Sequence, residues 1–211
     1  MKKWIVYFQL LALSLFLAAC SNQPQRGATA KKPSDKNIAW QQRQTKFSKI
    51  REWRLQGKAS VRYQSDNWPF SLSWLQRQGE DYEMNIKHPL TGRVLAYIKS
   101  TNQGVMLKGQ DGKIYRDRNA ENLVKTQLRV ALPLKGMKSW VLGIASPNYP
   151  AAKVTLDDYG RPITLLQAGW RVDYPAYATG GAYAFPEKII LQHLSDNTRI
   201  KLIVKDWQAR Y

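Results

Sequence analysis

The chain is predicted to be mainly β, with about ten or eleven short antiparallel strands wrapped into a closed or nearly closed barrel, one leading helix and two inserted ones. Two observations carry this. After residue 54, apolar and polar residues alternate through most of the chain, the period at which one face of a strand is buried. Between the alternating runs stand clusters of Gly, Asn and Asp, such as "TNQG" (101–104) and "GQDGK" (109–113), which turn a chain back on itself. An open sheet of so many amphipathic strands would present a long unpaired edge, so near-closure follows from the strand count.

The chain begins with Lys2 and Lys3, followed by a run from Trp4 to Ala19 broken only by Gln9 and Ser14. That is a charged n-region and an apolar h-region, short of the roughly 20 residues that span a bilayer. Leu17-Ala18-Ala19 leads into Cys20, the only cysteine. The pattern resembles the bacterial lipobox, which implies cleavage before Cys20 and acylation of that residue. With one cysteine, no disulfide forms within the chain. Ser21 to Asn37 holds almost nothing large and apolar, so burial cannot offset its ordering entropy and it reads as a tether. Ser21 in second place of the mature chain implies the outer membrane by the usual sorting pattern. The expected organisation is therefore a signal (1–19), a lipidated tether (20–37) and one folded domain (38–211).

Without Lys2 and Lys3 the 33 basic residues become 31 against 15 acidic ones, a net charge of +16. A surface of that charge is drawn to anions. In an exported protein these are lipid head groups, lipopolysaccharide or an acidic partner rather than nucleic acid.

Trp40, Phe47, Ile50 and Trp53 are spaced for one side of a helix, predicted over 38–54. Strand faces follow: Leu55, Gly57, Ala59, Val61 and Tyr63; then Phe70, Leu72 and Trp74; then Tyr82, Met84 and Ile86. Further strands are expected at 94–99, 105–108 and 113–115. A helix over 119–130, with Asn119 as N-cap and Pro133 as a stop, and a short one over 136–142 interrupt the sheet. Strands resume as a hairpin about Asp158-Tyr159-Gly160, then "GWRVDY" with Trp170, Val172 and Tyr174 on one face. A loose segment, "PAYATGGAYA", leads to a strand with Ile189 and Leu191 and a last one with Ile200, Leu202 and Val204. A barrel of this size is wider than its own side chains fill, leaving a cavity that the inserted helices partly plug.

"HPLTG", His88 to Gly92, reads as a hairpin turn. Leu90 at its tip forgoes roughly 1.5–3 kcal/mol of burial, so it either folds back onto the body or is buried elsewhere when the protein works. No HExxH, CxxC, GxSxG, GxGxxG or P-loop pattern occurs, and only two histidines, His88 and His193, are present. Asp157-Asp158 reads as a turn element. The chain is read as a binder without a cofactor, not an enzyme, and as a monomer.

The lipobox at Cys20, "LQGKASV", "WLQRQGEDYEMNI", "HPLTG", "SWVLG", "LDDYGRPITLL", "GWRVDY" and "RIKLIVKDW" together resemble the LolB family, the outer-membrane receptors of the bacterial lipoprotein localisation pathway. The resemblance spans nearly the whole chain. It implies an unclosed antiparallel barrel of eleven strands with a helical lid, shared with the periplasmic carrier LolA. It also implies an activity: acyl chains of lipoprotein cargo pass from LolA to the receptor and then into outer-membrane lipid. Leu90 matches the family's protruding leucine implicated in insertion, although His88 stands where Asn is commoner. The inward apolar positions Leu72, Trp74, Tyr82, Met84, Trp140, Trp170, Val172, Leu202 and Val204 are the expected cavity wall. Two other readings share most features: a generic envelope lipid or lipopolysaccharide binder, and a structural lipoprotein holding anionic polymers.

Overall fold

A computed structural model describes residues 32–211; Cys20, the signal and most of the expected tether lie outside them. The first element is helix α1 (Lys36–Phe47). Eleven strands follow: β1 (Glu52–Tyr63), β2 (Asp66–Gln76), β3 (Tyr82–Lys87), β4 (Val94–Thr101), β5 (Gly104–Gly109), β6 (Ile114–Asp117), β7 (Lys153–Leu156), β8 (Pro162–Gln167), β9 (Trp170–Tyr177), β10 (Pro186–His193) and β11 (Arg199–Arg210). Helices α2 (Ala120–Leu128) and α3 (Leu134–Trp140) lie between β6 and β7.

All eleven strands form one antiparallel sheet in the order β6-β5-β4-β3-β2-β1-β11-β10-β9-β8-β7. The first and last strands meet at its centre, whereas β6 and β7 do not pair with each other. The barrel is therefore unclosed. Its free edges are four residues long each, and short edges offer little template for adding another chain. The segment that joins them carries α2 and α3, whose Leu123, Val124, Leu134, Met137 and Trp140 belong to the buried core. The core extends from Phe47 to Val204, so the chain from Ser21 onward has what it needs to fold without a lipid anchor.

Local signals explain most boundaries. Asp35 caps α1, its carboxylate accepting from the N–H groups of Asn37 (2.7 Å) and Ile38 (3.3 Å), so the helix starts two residues earlier than expected. Asn119 caps α2 as expected, accepting from Asn122 N–H at 3.0 Å. The predicted continuation of α1 to residue 54 does not occur. The helix ends at Phe47, and Trp53 lies in β1, paired with Ala209 and Gln76. Its ring packs 5.0 Å from Trp74 and 5.7 Å from Trp207. Residues 47, 50 and 53 fit a helix, but 53, 55 and 57 also fit a strand, and the pairing on both sides decides for the strand. Helix α3 begins two residues before the predicted start. Strand β9 runs on through Tyr177, and Gly181–Tyr183 forms a 3-10 turn within the stretch expected to be loose. Between Gln56 and Gly57 the β1–β11 register shifts; a Cβ on Gly57 would run into the Ile203 carbonyl, so glycine lets the two strands approach at this bulge.

Candidate functional site: an apolar mouth beneath an exposed leucine

The β3–β4 hairpin is closed by His88 N–H donating to Arg93 O (2.8 Å) and Gly92 N–H to His88 O (3.0 Å). Gly92 takes φ +70°, which glycine adopts without steric penalty. His88 Nδ1 accepts from the N–H of Thr91 (3.2 Å) and, at 3.4 Å, of Leu90. An asparagine side chain would use its oxygen in the same way. Leu90 does not fold back: it is 89% exposed at the tip.

Beneath this hairpin opens a cavity of about 370 Å³. Its wall is Val61, Trp68, Pro69 and Phe70 from the β1–β2 hairpin, Ile86, His88, Pro89, Leu95 and Ala96 from β3 and β4, and Leu128, Val130 and Leu132 from α2 and the segment after it. Apart from His88 every one of these side chains is apolar. Chemically the mouth can receive hydrocarbon and offers no nucleophile with a base. Among the described residues no group of three or more His, Cys, Asp or Glu is placed to hold a metal.

The nine interior positions expected to form the cavity wall are all buried, and none lines this mouth. They pack around the rings that fill the barrel. Trp74 meets Tyr82 edge-on at 6.1 Å, and Trp140 lies 6.5 Å from Trp170 and 5.9 Å from Tyr149. Gln167 anchors Trp140 by accepting its indole N–H (2.9 Å) and that of Ser146 N (2.9 Å), while its amide donates to the carbonyls of Ser146 and Pro150. Tyr174 O–H donates to Trp140 O at 2.9 Å. Burial pushes the Tyr82, Tyr174 and Tyr177 phenols up, and each stays neutral.

The other polar residues considered have structural surroundings. Asp157 accepts from Tyr159 and Arg161 N–H and pairs with Arg161 at 2.7 Å, a turn element as expected. His193 lies 3.0 Å from Asp196 and against the Trp170 ring. Trp68, Pro69 and Leu132 were not singled out from sequence. Trp68 could have been, because it lies two residues before Phe70 and so shares the inward face of β2.

The family profile described as "Outer membrane lipoprotein LolB" matches residues 51–207. The chain belongs to the LolB family. The match runs from the residue before β1 to three residues short of the end of β11, so it takes in ten strands whole and most of the eleventh. An outer-membrane lipoprotein LolB of Nitrosococcus oceani is 30% identical over 206 residues, covering 98% of both chains. One from Pseudomonas putida (strain KT2440) is 32% identical over 205 residues, covering 97% of this chain and 95% of its own. In fold, the chain is similar to a LolA superfamily protein from Nitrosomonas europaea, with a TM-score of 0.50 at 11% identity over 81% of this chain and 93% of the other. The chain thus has the unclosed eleven-stranded barrel that its resemblance to the family implies. Among its described residues no helix is long and apolar enough to cross a membrane.

Proposed function

We propose that this protein is an outer-membrane lipoprotein receptor, held by acylated Cys20, that takes the acyl chains of lipoprotein cargo from the periplasmic carrier LolA and passes them into outer-membrane lipid. The observation that carries the reading is an 89% exposed leucine at a hairpin tip whose base walls an apolar cavity. A leucine in water gains roughly 1.5–3 kcal/mol when buried, and hydrocarbon is what both the mouth and a bilayer supply.

Each buried acyl methylene is worth roughly 0.8 kcal/mol, so chains cross between proteins only under cover. Cavity-to-cavity transfer leaves net exposure nearly unchanged, and a tenfold bias takes about 1.4 kcal/mol, which needs no ATP at this step. At about 370 Å³ the mouth is near the lower end of the roughly 300–1,000 Å³ of ligand pockets. Three acyl chains need more room, obtained by moving α2 and α3 away from the sheet. The nine interior residues then become the wall.

The test mixes the unlipidated chain, starting at Ser21, with LolA loaded with a triacylated lipoprotein. Cargo should be recovered on the receptor at low and high salt, since hydrocarbon burial outlasts screening. In the full lipidated protein, Leu90→Glu should still accept cargo but deliver it at least tenfold more slowly. Normal delivery by that variant would remove Leu90 from the mechanism, and cargo left on LolA would remove the receptor reading itself.

A further inference from the structure

Leu90 is not alone at its end of the barrel. Antiparallel pairing places the β1–β2, β3–β4, β5–β6, β8–β9 and β10–β11 hairpins at one end of the sheet. The β10–β11 hairpin carries Leu194, 63% exposed, with its N–H held by Gly169 O of the β8–β9 turn at 2.9 Å. Four strand spacings, roughly 19 Å along the curved sheet, separate the two leucine-bearing hairpins. Trp68, 40% exposed, lies between them on β2.

The charges on this end are one-sided. Arg62, Lys87, Arg93, Lys108 and Arg199 are exposed, and among the described residues none is in an ion pair. The carboxylates on the same hairpins are Asp66, Asp111 and Asp196; Asp111 lies 3.6 Å from Lys113 and Asp196 is 3.0 Å from His193. Turns at the opposite end carry Glu80, Asp81, Asp157 and Asp158, and the cations of those turns, Arg77 and Arg161, are paired with Glu83 and Asp157. An exposed leucine on each of two separated hairpins, with unpaired cations around them, matches a surface that is apolar below and anionic above.

We infer that this end of the barrel is a two-point membrane-docking face, in which Leu194 is a second apolar contact beside Leu90 and the unpaired cations engage anionic phospholipid head groups. The inference rests on the receptor reading for its purpose and extends it to an orientation: the barrel stands end-on, mouth to the bilayer. Tether length permits this. The folded domain is entered at the far end, where Lys32 pairs with Asp158 at 3.0 Å. Eleven residues, twelve Cα–Cα steps, separate Lys32 from Cys20, a reach of at most about 40 Å. Strand β1, 12 residues long and tilted as barrel strands are, stands roughly 30 Å tall. The tether spans the barrel with little to spare.

The test floats the unlipidated chain, starting at Ser21, with phosphatidylcholine vesicles with and without phosphatidylglycerol. The native chain should bind the anionic vesicles more tightly. Leu194→Glu and Leu90→Glu should each weaken that binding tenfold or more, while Ile203→Glu, an exposed residue on the outer face of β11, should leave it unchanged. Joint replacement of Arg62, Arg93 and Arg199 by Gln should abolish the preference for phosphatidylglycerol. In the lipidated protein, deleting residues 22–29 should slow delivery but not cargo acceptance. Native binding by Leu194→Glu, an equal loss with Ile203→Glu, no preference for anionic vesicles, or undiminished delivery by the shortened tether would each overturn the inference. Uptake from LolA is measured separately, so a failure of the receptor reading shows there and not in flotation.

Discussion

Replacing Arg43 should unfold this protein more readily than any single surface change. Its side chain is 0% exposed, and among the described residues no carboxylate pairs with it. Its guanidinium donates instead to four carbonyls: Nε to Gly143 (2.9 Å), Nη1 to Ala182 (2.7 Å) and Ala184 (2.9 Å), and Nη2 to Leu142 (2.6 Å). It also lies over the rings of Phe47 at 4.2 Å and Tyr177 at 5.6 Å. One side chain thereby joins α1, the turn that follows α3 and the connection from β9 to β10. Burial lowers its pKa to about 10, so the charge itself is unfavourable there and the hydrogen bonds must outweigh it. In Arg43→Met, stranding four carbonyls costs about 1 kcal/mol or more each, and relief of the buried charge returns part of that. The net loss should be about 3 kcal/mol. For a domain of this size that lowers Tm by roughly 6–12 °C, read by thermal unfolding of the unlipidated chain. Arg43→Lys should recover little, since an ammonium cannot reach four acceptors in the guanidinium's plane. A shift under about 2 °C for Arg43→Met would refute the reasoning.

Two further outcomes are expected. His88→Asn should preserve delivery, because its side-chain oxygen accepts the same two N–H groups, whereas His88→Ala should slow it severalfold with acceptance intact; the ratio of delivery to acceptance rates reads both. Stability should fall as pH rises through about 10 and beyond. Tyr82, Tyr174 and Tyr177 have pKa values raised in the fold by burial, so above the ordinary tyrosine pKa the unfolded chain loses protons that the folded one keeps. Stability is then complete below that pKa and lost above it. Arg43, with its pKa lowered, acts in the opposite sense, but three phenols outweigh one guanidinium. Urea midpoints at rising pH check the sign.

What the amino-acid sequence determined by itself was local: the inward faces of the strands, the Asn119 cap, and the hairpin that leaves Leu90 at a tip. Alternation and turn chemistry act between neighbours in the chain, and the positions they marked as inward, from Val61 and Phe70 to Val204, are largely inward. Part of the mouth was legible in the same way, since Phe70, Ile86, Leu128 and Val130 fall on predicted apolar faces. Tertiary structure decided the rest. Whether Trp53 ended a helix or began a strand depended on its partners in β2 and β11. Arg43 reads as one more polar residue among Gln and Lys, yet it is buried, because carbonyls from residues about 100 and 140 positions away converge on it. The barrel interior is filled by Trp140 and its neighbours rather than left open, which leaves the apolar cavity at the end beneath Leu90. Those outcomes depend on which distant surfaces meet, and periodicity along a chain carries no record of that.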